Sequence, residues 1–307
     1  MIYADLKFNF CPFCGAKISS DLYCKSCGKS LHILTEYGHI TPELISSIQW
    51  DASISETQKN IIIELLSELV RIEGGSFTMG MSEFNGSPLK QPSLQTPHRV
   101  TLSTFYLSKF LVTQRQWFAF MPNHTCCNIG DELPVDSISW EDCIEFTNRL
   151  RKLSNIPFSL PTEAQWLFVA QERNQFYDKS FAGFDNLEQC AWTTDNSNGH
   201  SHSPGLKMPN GLGIYDLCGN LSEHCLDRWG NWPKDAISNP YRPIGTGGNM
   251  VRKGGSYHYK LYDEFESAYH IMSRDCRSES SRMEDSGLRL AVFDVNTLTE
   301  YKKTSQK

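Results

Sequence analysis

Apolar residues recur at helical spacing in four stretches, and each stretch opens on a hydroxyl residue placed to cap it. Ile62, Leu65, Leu66 and Leu69 come after Ser55-Glu56-Thr57-Gln58. Trp117, Phe118 and Phe120 come after Thr113, with Gln116 three positions beyond the threonine. Cys143, Ile144, Phe146 and Leu150 come after Ser139 and Asp142, and Trp166, Phe168 and Val169 after Thr162 and Gln165. A Ser or Thr with an acid or amide three residues on satisfies free N–H groups of a first helical turn. The spacing therefore predicts helices at all four places. Thr41-Pro42-Glu43 marks a further start, with proline at the first helical position. Residues 33–68 read as a helical linker whose second helix packs one face onto the larger domain beyond residue 68.

From Leu69 onward the texture turns to short segments broken by Gly, Asn and Pro. Residues 178–252 hold no long periodic stretch. Such a run suits a loop-rich α+β domain held by a few strands and an ion. It spans 69–294, and the polar tail 295–307 is expected to be mobile.

Composition narrows the class. The 307 residues are 39% hydrophobic and 21% charged, an ordinary globular mixture. A net charge of -6 lacks the basic field of a non-specific nucleic-acid or membrane-surface binder. The N-terminus lacks a basic segment followed by an apolar run, and no apolar stretch approaches the roughly 20 residues of a membrane span. A cytoplasmic protein is expected. Of the 11 cysteines, those beyond residue 27 then default to buried hydrophobes or inert thiols.

The remaining four form two knuckles, Cys11-Pro-Phe-Cys14-Gly and Cys24-Lys-Ser-Cys27-Gly. A two-residue spacer lets both thiolates of a knuckle reach one ion, and zinc takes four such donors in a tetrahedron. Residues 1–32 are expected to be a small zinc ribbon, too short to fold on its own core and stabilised by a structural zinc on the order of 10 kcal/mol. Its lysines are offset by acids, which favours protein docking over DNA contact.

Along the larger region several motifs occur in a telling order: Leu69-Val-Arg-Ile-Glu-Gly-Gly-Ser-Phe-Thr-Met-Gly80, Pro97-His-Arg-Val-Thr-Leu102, Leu133-Pro-Val-Asp-Ser-Ile-Ser-Trp140 and Leu160-Pro-Thr-Glu-Ala-Gln-Trp166. After them come Asn210-Gly-Leu-Gly-Ile-Tyr-Asp-Leu-Cys-Gly-Asn-Leu-Ser-Glu223, Val251-Arg-Lys-Gly-Gly-Ser-Tyr257, Cys276-Arg-Ser and Gly287-Leu-Arg-Leu290. This series resembles the formylglycine-generating-enzyme (sulfatase-modifying factor) family. The resemblance implies a C-type-lectin-like fold of twisted antiparallel strands and long loops.

Within the central motif, Asp216 and Glu223 offer carboxylates and Gly219 and Leu221 offer carbonyls, the hard mixed donors that calcium takes. Family members of this pattern place a structural calcium there. The plainer alternative is a turn at Gly219-Asn220 flanked by solvated acids. Ser222 and His224 replace two aromatics usual around the motif. His200-Ser-His202 supplies two imidazoles without an evident third ligand.

In the oxidase members, two cysteines five residues apart come after the Gly-Gly-Ser-aromatic segment and hold copper(I), which soft thiolates select. Here Ser256 and Tyr257 match that segment, but the matching positions carry Tyr259 and Glu264, and Cys276 is the only cysteine in residues 226–307. One thiol cannot make that site, so no copper is expected. Residues 33–68 are too short for the helical domain that supports iron in the family's sulfoxide synthases. The reading left is a lectin-like binding or accessory protein with a protein or peptide partner. Its contact surface is expected at Ser256, Tyr257, Tyr259 and Tyr262, within a segment rich in adaptable polar residues. The alternatives are an oxidoreductase or protein-modifying enzyme of the same fold, and the variable target of a diversity-generating retroelement. The absence of Asn from 256–286 weighs against the latter.

Overall fold

A computed structural model of the protein describes residues 48–81, 83–84, 87–88, 97–175, 181–243, 248–258, 269–294 and 298–300. The expected zinc ribbon with Cys11, Cys14, Cys24 and Cys27, and the helix start at Thr41, lie outside the described residues, as do Tyr259 and Tyr262.

All four predicted capping boxes are present. Helix α1 (Glu56–Ser67) is capped by Ser55, α2 (Gln114–Phe118) by Thr113, α3 (Trp140–Ser154) by Ser139 and α4 (Glu163–Ala170) by Thr162. In each, the cap hydroxyl accepts the N–H three residues on, and that residue's side chain accepts the cap's own N–H. Ile61, Ile62, Leu65 and Leu66 of α1 are buried in one core cluster with Trp117, Phe146 and Leu290, so this helix forms part of the domain wall. Every residue of α4 is buried, the pattern of a helix enclosed on all sides. A fifth helix, α5 (Leu187–Cys190), is a single turn.

The strands are short and mostly antiparallel. The first sheet joins β1 (Leu69–Ile72), the neighbouring Phe105–Ser108, Ala291–Val292 and Phe158–Ser159 in that order. The expected opening strand is thus two strands, because β2 (Gly75–Met79) pairs instead with β3 (His98–Leu102) in a second sheet. The third sheet carries the site. Its spine is β4 (Ser222–Arg228), flanked by β5 (Asn249–Lys253) and then β6 (Asp275–Ser278), with Ser286–Gly287 parallel on the other edge. In the tail expected to be mobile, Thr299–Glu300 pairs with Pro240–Tyr241 and Leu298 packs on the core. A backbone bond from Thr299 N–H to the Asn239 carbonyl (2.7 Å) helps to tie down that part.

A buried polar knot fixes the N-terminus of α4 to the third sheet. Arg274 forks onto Glu163 at 2.5 and 2.9 Å, lies over the Trp229 and Trp232 rings, and shares Glu163 with the Trp232 indole N–H. Asp227 accepts the Glu163 and Arg242 backbone N–H groups, and burial beside the Glu163 carboxylate pushes its carboxyl up to about 7. These contacts offset the cost of holding charge away from water.

Candidate functional site

Three motif segments converge at the start of β4: 216–223, 254–257 and 285–289. The backbone turns sharply through Asp216, Gly219 and Asn220, all at positive φ. Asn220 is the junction. Its N–H donates to the Trp192 carbonyl (2.8 Å), its side chain brackets the His202 backbone, and its carbonyl accepts from Tyr257 N–H (2.8 Å). Gly219 N–H donates to the Gly254 carbonyl (2.8 Å), and Leu221 packs beneath against Leu111 and Tyr257.

The two candidate calcium carboxylates are both buried and differ in their partners. Glu223 receives both forks of Arg289 at 2.7 Å and the Trp166 indole N–H at 3.0 Å. Arg289 spends its other N–H groups on the carbonyls of Ser108, Lys109 and Tyr215. Asp216 accepts Gly205 N–H at 2.8 Å and the Asn220 amide at 3.4 Å, and burial pushes its carboxyl up to about 6. One guanidinium therefore serves two carboxylates. Glu223 thus already accepts three hydrogen bonds and Asp216 two.

Ser256 and Tyr257, expected as contact residues, are buried instead. Ser256 Oγ donates to Asp285 (2.8 Å), whose other oxygen receives Arg252 at 3.0 Å. Burial alone would raise Asp285, but the Arg252 guanidinium holds its carboxyl below the usual range. The Tyr257 hydroxyl accepts from the Asn128 amide (3.1 Å) and donates to the Glu284 carbonyl (3.5 Å). It clasps two surface segments from below. Their outer side is exposed: Ile129 is 86% and Met283 38% accessible, Cys127 contacts Glu284, and His258 pairs with Glu284 at 3.2 Å. Neither Asn128 nor Ile129 carried a sequence signal, since the Asn128 partner Tyr257 lies more than 120 positions away.

The other candidates fall apart or elsewhere. His200 and His202 sit 4.5 Å apart, each bonded to a backbone carbonyl and with His202 stacked on Trp192. Among the described residues no group of three or more His, Cys, Asp or Glu is placed to hold a metal together. Cys276 lies on β6, where its sulfur accepts from the Asn249 amide.

His224, which fills an aromatic position of the motif, shares a bond with the Ile138 carbonyl at 3.2 Å and has no partner at Nδ1. Burial, helped by nearby Arg252, pushes its pKa down to about 3. The unfolded chain takes up this proton near 6.5, so the neutral imidazole's contribution is present above that pH and lost as pH falls. Relative to His224→Gln, the wild type should lose about 2–3 kcal/mol of stability between pH 7 and pH 4.5. The buried Asp216 and Asp227 shift the curve the other way, but equally in both proteins. Urea melts at the two pH values check this, and a pH-independent difference would refute it.

The sulfatase-modifying factor enzyme 1-like domain matches residues 56–293. The chain belongs to that family. The match begins at residue 56 and so takes in α1. Chaperone protein LppX of Paenibacillus barcinonensis is 26% identical over 234 residues, covering 60% of this chain and 79% of that protein. The formylglycine-generating enzyme of Thermomonospora curvata is 26% identical over 194 residues, covering 56% of each. Among solved structures, Treponema denticola variable protein 1 superposes with a TM-score of 0.63 at 24% identity, covering 73% of this chain and 94% of that one. That likeness confirms the mixed helix-and-sheet fold. Among the described residues no helix is long and apolar enough to cross a membrane.

Proposed function

We propose that this member of the family is a binding or accessory protein that uses no copper, and that its exposed surface over Tyr257 receives a protein or peptide partner. The observation that carries the reading is the pair of exposed apolar side chains, Ile129 and Met283, on segments clasped by one buried hydroxyl. Exposed apolar side chains on segments held from beneath by hydrogen bonds suit recognition. One relative, LppX, is named a chaperone protein, and a chaperone role in this chain would work through such a surface. The pair of thiols needed for copper(I) has no counterpart after Ser256.

A photo-crosslinking residue placed at 129 in living cells should give discrete protein adducts that Met283→Asp abolishes, while the same residue at exposed position 206 should not. In parallel, a Cys-x-Pro-x-Arg peptide supplied with copper and reductant should stay intact by mass spectrometry. Aldehyde formation would favour the oxidase alternative.

The reading includes a structural zinc on Cys11, Cys14, Cys24 and Cys27 in an N-terminal docking ribbon, and a structural calcium held by Asp216, Glu223 and the Gly219 and Leu221 carbonyls. Metal analysis should find close to one zinc per chain, lost in Cys11→Ser. A calcium that binds only the folded state should raise the melting temperature after chelation, and Glu223→Gln should blunt that response. A melting temperature unmoved by chelator or calcium would leave Asp216 and Glu223 as a purely structural turn.

A further inference from the structure

We propose that Cys190 and Cys218 are a reversible disulfide pair, closed by a small-molecule disulfide such as oxidised glutathione. Both are buried in the same core cluster, and both carry free thiols. Cys218 immediately precedes Gly219-Asn220, the turn on which the candidate site is built.

The backbone brings the two together. Ala191–Trp192 runs parallel to Cys218–Gly219 with Ala191 opposite Cys218, so Cys190 stands one residue from that register. Neighbouring strands lie about 4.8 Å apart, and one residue advances the chain by about 3.3 Å. Together these put the two α-carbons about 6 Å apart, the span that a disulfide bridges. The side chains agree, because the Cys218 thiol is hydrogen-bonded to that of Cys190. That contact, with burial, pushes the Cys218 pKa well above the ordinary thiol value, so the protonated thiol is its resting form.

Access runs through α5. Cys190 closes this single helical turn, and its thiol also reaches the Leu187 carbonyl at 3.6 Å. Glu188 and Gln189 on the same turn are exposed, and so short a helix opens locally at little cost. In the open form Cys190 loses its proton to water, and its thiolate attacks one sulfur of the oxidant and expels a small thiolate. On reclosure Cys218 gives up its proton in turn. Its thiolate attacks the Cys190 sulfur of the mixed disulfide and releases the second small thiolate. The two protein thiols lose two electrons and two protons, and the small disulfide becomes two thiols. The new bond ties α5 to the strand that leads into Asn220. It also closes a loop, 190–218, that carries His200, His202 and the exposed Leu206 and Met208. The redox state of the surroundings then sets how firmly that loop is held.

The test incubates the reduced full-length protein with oxidised glutathione, then alkylates, digests and maps it by mass spectrometry. The expected product is a pair of peptides joined through Cys190 and Cys218, absent after dithiothreitol. The oxidised protein should melt roughly 5–10 °C above the reduced one. Cys190→Ala should remove the linked peptides and that part of the melting difference together. Cys127→Ser, at an exposed thiol outside the pair, should preserve both. In the wild type, a glutathione adduct on Cys127 shows that the oxidant was active. Such an adduct with Cys190 and Cys218 both still alkylated would overturn the inference, as would a bond that forms in urea but not in the folded chain. A linked form that melts no higher than the reduced one would overturn it too, because the bond would then have to distort the contact that now joins the two thiols.

Discussion

Arg289→Leu should destabilise the protein by about 3–5 kcal/mol, or leave it unable to accumulate in folded form. The guanidinium is wholly buried and neutralises Glu223, while its remaining donors close the carbonyls of Ser108, Lys109 and Tyr215. Removing it leaves the buried Glu223 carboxylate with the Trp166 indole N–H alone and takes a donor from three carbonyls at once, of which that of Lys109 keeps the Tyr215 N–H. Chemical denaturation followed by tryptophan fluorescence measures the effect. Arg289→Leu/Glu223→Leu, which removes both charges, should recover much of the loss. A single variant as stable as wild type would show that the pair carries little of the fold's stability.

Gly219→Ala should cost roughly 2–5 kcal/mol, the sum of left-handed strain and overpacking. The residue sits at φ +75°, and a Cβ there would lie 2.2 Å from the Trp192 carbonyl oxygen. That oxygen cannot swing away, because it accepts the Asn220 N–H and belongs to the short pairing of Ala191–Trp192 with Cys218–Gly219. Thermal melts against the control Gly213→Ala would isolate the clash. Gly213 also has positive φ, but nothing lies near a Cβ there. Equal losses in the two would mean that strain alone, without the carbonyl contact, sets the cost.

The local parts of this architecture were legible in the sequence and the distant parts were not. Capping boxes at Ser55, Thr113, Ser139 and Thr162 are complete within four residues, so the chain states them outright. The family motifs likewise located the segments that meet at Asn220. The orientation of Tyr257 was not readable, because its burial depends on Asn128 and Glu284, each far away along the chain. An aromatic after a Gly-Gly-Ser turn looks the same in sequence whether it faces solvent or holds a loop from beneath. The division of Arg289 between Glu223 and three carbonyls is hidden for the same reason. The motif Gly287-Leu-Arg-Leu290 marks the residue without naming its partners.

The Tyr257 clasp also bears on how such a protein can change over generations. Its hydroxyl holds the Asn128 side-chain amide and the Glu284 carbonyl, on the residues next to positions 129 and 283. Substitutions there should be nearly free in stability, while those at Asn128 or Tyr257 should not. Selection could then rewrite what the surface recognises, one exposed side chain at a time, without first having to rescue the fold.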